Sequence, residues 1–145
     1  MAEISKLQYA EITDKILGAY YDVYNEMGHG FVESVYSNCM EIVLAEAGLQ
    51  VQRELMIPVW FRNRDVGKFR ADLLVQKLVL IELKAVRTLE SSHESQIMNY
   101  LRATEVEVGL LFNFGASKPQ FKRIVFANEN KKIRVYPRKS AVGRA

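Results

Sequence analysis

From Leu7 to Met27 the apolar residues Ile12, Ile16, Tyr20, Val23 and Met27 recur every three or four positions, a pattern that predicts an amphipathic helix closed by Gly28. A second helix is expected from about Phe31 to Ala47, stopped by Gly48. Then the period changes. Leu49 to Pro58 alternates loosely and runs on through Val59-Trp60-Phe61 to a turn at Arg62-Asn63-Arg64-Asp65. Val66–Val75 and Leu78–Val86 read as strands apolar on both faces, the pattern of central strands in a covered sheet. A third helix is expected from about Ser92 to Thr104, with Ser91-Ser92-His93-Glu94 supplying capping-box spacing. Val108–Phe114 is a buried strand, and Phe121–Ala127 with Ile133–Tyr136 forms a closing hairpin turning at Asn128-Glu129-Asn130. The order is two helices, three strands, a helix and three strands. It predicts an α/β fold, a mixed sheet flanked by helices.

Three charges interrupt the most apolar part of this pattern. Asp72, Glu82 and Lys84 lie in the two runs expected to be central strands, where an isolated charge is costly unless it is paired or binds a metal. Glu82 and Lys84 are two apart and share a strand face. Asp72 joins them only if the turn has the right length. A two-residue loop at Gln76-Lys77 pairs Val75 with Leu78 and sets Asp72 opposite Ile81, on the wrong face. A three-residue loop, Gln76 to Leu78, pairs Val75 with Val79 and sets Asp72 opposite Glu82. A functional site therefore requires an odd loop or a bulge. Two close carboxylates stay ionised most readily with a divalent cation between them, and all-oxygen ligation favours Mg²⁺ or Mn²⁺ over zinc. Such an ion acidifies bound water and neutralises charge on a phosphoryl oxygen, and Lys84 would hold that water or stabilise the anionic transition state. This is the D…ExK pattern of metal-dependent nucleases.

Two further clusters have both ordinary and functional readings. His93, Gln96 and Tyr100 form one stripe on the third helix, and the pair Gln96–Tyr100 either decorates the helix surface or contacts a phosphate and braces the metal site. Glu33 lies in the first turn of the second helix, where the helix dipole favours any carboxylate. Its sharper reading is a third acidic group for the metal. Glu94 is explained by capping.

Composition narrows the classes. With 145 residues, 49% hydrophobic and 26% charged, the chain has the make-up of one ordinary globular domain. No apolar run approaches the roughly 20 residues of a membrane span, and the N-terminus lacks a signal-peptide layout, so a cytoplasmic location is expected. The lone Cys39 excludes an internal disulfide and a Cys-rich metal site. Residues 1–60 carry 3 basic and 9 acidic side chains, whereas 61–145 carry 17 and 8. That asymmetry suits a polyanionic partner. The basic tail over about 138–145 reads equally well as a disordered, solvated end.

Together these clusters resemble a specific family. Gly30-x-x-Glu33-x-x-Tyr36 is similar to the signature of the GxxExxY proteins, a branch of the PD-(D/E)XK nuclease-like superfamily. The resemblance runs from about Ile12 to Arg123. It takes in Arg70-Ala71-Asp72-Leu73-Leu74-Val75, Ile81-Glu82-Leu83-Lys84-Ala85, His93-x-x-Gln96-x-x-Asn99-Tyr100-Leu101 and Gly109-Leu110-Leu111-Phe112-Asn113-Phe114-Gly115. It implies a restriction-endonuclease-like core, with Asp72 and Glu82 as metal ligands, Lys84 as the catalytic lysine and Glu33 as the acidic residue of the first core helix. Gln96 and Tyr100 match the Q-x-x-x-Y element of RecB-like nucleases, a branch acting in recombination and repair. The chain departs from the family pattern at Tyr24, where a His is frequent, and at His29, where a Pro is frequent.

The expectation is Mg²⁺-dependent (or Mn²⁺-dependent) hydrolysis of phosphodiester bonds in DNA, in repair, recombination or defence. Arg62, Arg64, Lys68, Arg70, Lys122 and Arg123 are candidates for backbone contacts. No organic cofactor or membrane partner is expected. Sequence specificity would need an accessory protein, and cutting both strands needs two sites, which leaves a homodimer open. The alternative is a non-catalytic nucleic-acid-binding or assembly module that retains the nuclease fold.

Overall fold

The computed structural model describes residues 6–133. The basic tail, and all of the expected last strand after Ile133, lie outside the described residues. Helix α1 (Lys6–Met27) and helix α2 (Glu33–Glu46) lead into strands β1 (Val51–Phe61), β2 (Arg64–Val75) and β3 (Val79–Lys84). Helix α3 (Ser91–Arg102), strands β4 (Val108–Asn113) and β5 (Gln120–Val125) and a single 3₁₀ turn (Asn128–Asn130) follow. The sheet order is β1-β2-β3-β4-β5. Among the described strands, β3 and β4 run parallel and the other neighbours are antiparallel. The expected mixed sheet flanked by helices is what the chain forms.

Hydrophobic periodicity explains the layers. The α1 stripe Ile16, Ala19, Tyr20, Val23 and Tyr24 is buried, and with Tyr36, Met40 and Leu44 of α2 it covers Leu73, Val75, Val79, Ile81 and Leu83 on one sheet face. Ile97, Tyr100 and Leu101 of α3 cover Ile57, Leu74 and Leu80 on the other. Aromatic rings lock the first layer: Tyr20 stacks on Phe112 at 4.4 Å, and Tyr36 on Phe114 at 4.1 Å between ring centres. Such contacts add about 0.5–1.5 kcal/mol each beyond the area they bury. Gly28, with φ of 71°, ends α1 where the pattern places its cap, and its N–H donates to the Tyr24 carbonyl.

Three expectations need correction. The first half of β2 is not central: Val66 is exposed, and residues 64–70 pair only with β1. Helix α3 starts one residue early, with Glu90 as N-cap; the Glu90 N–H donates to His93 Nδ1 at 3.0 Å, so His93 caps the helix in the role expected of Glu94. The expected turn at Asn128–Asn130 is a 3₁₀ turn, and residues 131–133 after it are not strand.

Candidate functional site

The β2–β3 loop decides the site. Gln76 and Lys77 adopt positive φ (54° and 56°), and the loop runs through Leu78, whose N–H donates to the Val75 carbonyl. The resulting pairs are Val75 with Val79, Leu74 with Leu80 and Leu73 with Ile81. This is the three-residue register, and one step further Asp72 meets Glu82. There the two strands part, β2 following β1 and β3 following β4. The carboxylates fill the fork. The Asp72 N–H donates to Glu82 Oε1 at 2.9 Å, and the Leu83 N–H donates to Asp72 Oδ2 at 2.8 Å. Side-chain oxygens thus take the place of ladder carbonyls, keeping both amides satisfied where the sheet opens.

The fork coincides with a slip in alternation. Leu73 and Val75 face α1 and α2, yet Ala71 packs with the α3 cluster. In β1, Val51 packs toward α1 and α2, whereas Leu55 and Ile57 pack toward α3. Between them Glu54 has φ of 52°. Glu54 and Asp72 drop out of the ladder at the slip, and the register is the same on either side, Arg53 with Leu73 and Leu55 with Ala71.

Burial sets the electrostatics. Glu82 is only 3% exposed, and burial, followed by the neighbouring Asp72 charge, raises its pKa to about 8. Asp72 is also raised by burial, against the opposing effects of the Leu83 N–H and the Lys84 charge. Lys84 is half-buried and its charge favours ionisation of both carboxylates. The ion-free pair therefore retains a proton near neutrality. Each carboxylate accepts one backbone amide, and the two carboxyl groups also hydrogen-bond to each other. Two adjacent, buried carboxylates of this kind are a fitting donor set for a hard divalent cation such as Mg²⁺ or Mn²⁺.

The other expected residues lie at graded distances from the pair. Gln96 Nε2 donates to the Tyr100 hydroxyl at 2.8 Å. The Tyr100 pKa is raised by burial and then by the Glu82 charge, which puts this hydrogen-bonded pair within electrostatic reach of the fork. Glu33 is exposed at the first position of α2, and its charge is the weakest contributor to the Glu82 shift. Among the described residues, no three His, Cys, Asp or Glu side chains converge to hold one ion. Tyr36 anchors the start of α2: its hydroxyl donates to the Gly28 carbonyl at 2.7 Å and accepts from the Phe31 N–H. The Tyr24 hydroxyl donates to the Ala116 carbonyl, a structural role, and His29 is exposed.

The six basic candidates fall in two places. Arg62, Arg64, Lys68 and Arg70 are exposed along the β1–β2 hairpin, with Arg70 ion-paired to Glu54 at 3.3 Å. Lys122 and Arg123 lie on β5, at the opposite sheet edge.

The sequence places Asn113 in a buried strand and in the run Gly109–Gly115 of the family resemblance, without a role of its own. Asn113 is fully buried at the end of β4, paired with Lys84 across the parallel ladder. Its Oδ1 accepts from the Val86 and Gly115 N–H groups at 3.0 Å each, and its Nδ2 donates to the Val86 carbonyl and to Gln120 Oε1. Gly115 packs so closely that a Cβ there would lie 2.3 Å from the Val86 nitrogen. These contacts clamp the chain immediately after Lys84. The signal was available: an amide side chain inside the otherwise apolar run 108–114.

A search of proteins of curated function gave no match. Among solved structures, the chain is similar to the crystal structure of SSO0001, with a TM-score of 0.52 and 19% identity over 84% of this chain. The match spans 59% of that protein's length, and at this identity it speaks to the fold alone. A family model described as the PD-(D/E)XK nuclease superfamily matches residues 10–124, which takes in every core element from α1 to β5 and the whole fork. The chain belongs to the PD-(D/E)XK nuclease superfamily.

Proposed function

We propose that this protein is a metal-dependent nuclease that hydrolyses phosphodiester bonds in DNA, within the GxxExxY group and close to the RecB-like branch, acting in repair, recombination or defence. The observation that carries the reading is the buried carboxylate pair of Asp72 and Glu82 at the strand fork, with Lys84 on the same strand face. Superfamily membership supplies the reaction class.

Asp72 and Glu82 would hold the ion between their carboxylates, in place of the hydrogen bond they make to each other. Glu33 would act through solvent or substrate. When bound, Mg²⁺ or Mn²⁺ supplies an acidified water and Lewis-acid stabilisation of phosphoryl charge. Lys84 orients the attacking water and offsets the negative charge that grows on the phosphorane-like transition state. The Gln96–Tyr100 pair presents its remaining hydrogen-bonding capacity beside the carboxylates, where it would orient the scissile phosphate. With the ion bound Glu82 would be ionised; the two carboxylates would offset the ion's charge, and Lys84 would add one positive charge toward the phosphate.

Incubation of the purified protein with single- and double-stranded DNA in Mg²⁺, Mn²⁺ or EDTA tests this reading. Cleavage in the metal arms and none in EDTA is expected. Tight binding without cleavage under both metals would replace the enzyme with a non-catalytic binding module.

A further inference from the structure

We infer that the β1–β2 hairpin is an arm that enters the major groove of a B-form DNA duplex and leads the phosphate backbone to the fork. This rests on the nuclease reading and narrows its substrate to duplex DNA. Beyond Leu73 and Leu55, β2 has no strand partner on its β3 side among the described residues, so residues 55–71 leave the sheet as a two-stranded ribbon. Seven residues of β1 (55–61) against eight of β2 (64–71, one of them at a bulge) make a ribbon of roughly 23 Å. It ends in a tight turn at Arg62-Asn63, both with positive φ, as two-residue hairpins of this kind require.

One face of the ribbon is committed. Ile57 is buried, and Phe69 lies 5.2 Å from Tyr100 in α3. This contact fixes the arm to the helix that carries Gln96 and Tyr100. The opposite face is exposed: Met56 and Val66 are more than half exposed, and Arg64, Lys68 and Arg70 are exposed. At the tip the Arg62 guanidinium lies 5.1 Å above the Phe61 ring. Four cations against Glu54 and Asp65 make the ribbon net basic, and the Asp65 carboxylate is occupied by the Gly67 N–H. The charges run along β2 straight to the site: Lys68, then Arg70, whose charge reaches Asp72 and Tyr100.

Size selects the partner. Two strands about 4.8 Å apart, with side chains, make a body roughly 10 Å across, which enters the ~12 Å major groove of B-DNA. The deep, narrow major groove of an A-form RNA duplex does not admit it. Single strands would not use the ribbon's width.

The test is binding, separated from cleavage. Fluorescence anisotropy with a labelled mixed-sequence DNA duplex is measured for the protein in EDTA and for Lys84→Ala in Mg²⁺, across a salt series. The triple variant Arg62→Ala/Arg64→Ala/Lys68→Ala is expected to bind at least roughly tenfold more weakly. Its log–log salt slope should flatten by about 2–3, since each lost phosphate contact contributes about 0.9. The charge-matched variant Lys15→Ala/Lys118→Ala/Lys132→Ala, at exposed positions outside β1 and β2, should keep the wild-type slope within about one unit. All mutated side chains are exposed, so melting temperatures should not move, and a melt of each variant checks this. An unchanged slope in the ribbon variant, or equal binding of RNA duplex and single-stranded DNA, overturns the arm while leaving the nuclease reading intact. Failure of the unmutated protein to bind any DNA at low salt overturns both.

Discussion

Replacing Glu82 by Gln removes a buried charge while keeping an oxygen to accept the Asp72 N–H. Below about pH 4.5 the carboxyl is protonated in folded and unfolded chains alike, and its contribution to stability is complete. Because the folded pKa is raised to about 8 from 4.5, the unfolded chain ionises first. Stability is lost progressively as pH rises toward about 8 and is then flat. A shift of this size amounts to about 5 kcal/mol at pH 9, since one pKa unit is about 1.4 kcal/mol. Glutamine has no such loss, and its amide adds a donor beside the Asp72 carboxylate. Glu82→Gln should therefore melt roughly 10–20 °C above the parent at pH 9 in EDTA, at about 2–4 °C per kcal/mol for a domain of this size. At pH 4.5 the two should melt within a few degrees of each other. Circular dichroism melts at both pH values provide the assay. A Glu82→Gln protein that melts lower than the parent at pH 9, or a difference independent of pH, would show that the carboxylate pair is not strained by burial.

Three further outcomes follow from the same geometry. Mn²⁺ binding by titration calorimetry should weaken roughly tenfold per pH unit below about pH 8, because the ion must displace the retained proton; constant affinity from pH 6 to 8 would refute the shared-proton account. Asn113→Ala should lower stability by about 2–4 kcal/mol in urea melts by leaving Val86 and Gly115 backbone groups unpaired in the interior, and a neutral effect would remove the clamp. Gly115→Ala should cost about 3 kcal/mol or more, since its Cβ meets backbone at Val86 and Ala85 rather than a movable side chain, and a parent-like melt would contradict the packing.

The chain's periodicity made most of the layers legible, because helices that bury one stripe and strands that bury both faces leave different spacings. The decisive element, the loop register, was legible only as a condition: parity arguments require an odd loop for Asp72 to meet Glu82, but they do not choose it. The left-handed Gln76 and Lys77 choose it. Other features were hidden for identifiable reasons. The exposed Val66 shares composition with central strands, and only the absence of a β3 partner distinguishes it. His93 looked like part of a functional stripe because capping by an imidazole and stripe position have the same spacing. Glu54 gives no sequence sign of its positive φ, since its conformation is imposed by the paired slip opposite Asp72. Asn113 stands out chemically, but its partners Val86 and Gln120 come from segments that the β3–β4 and β4–β5 ladders bring to it.

The most direct measurement is single-turnover cleavage of a DNA duplex in Mg²⁺ by the parent, Lys84→Ala and Asp72→Asn, each shown by its melting curve to be folded. The account predicts cleavage by the parent and a loss of roughly a hundredfold or more in both variants, with Mn²⁺ affinity retained in Lys84→Ala and lost in Asp72→Asn. Parent-level cleavage by Lys84→Ala or Asp72→Asn would place the chemistry elsewhere than the strand fork and contradict the account.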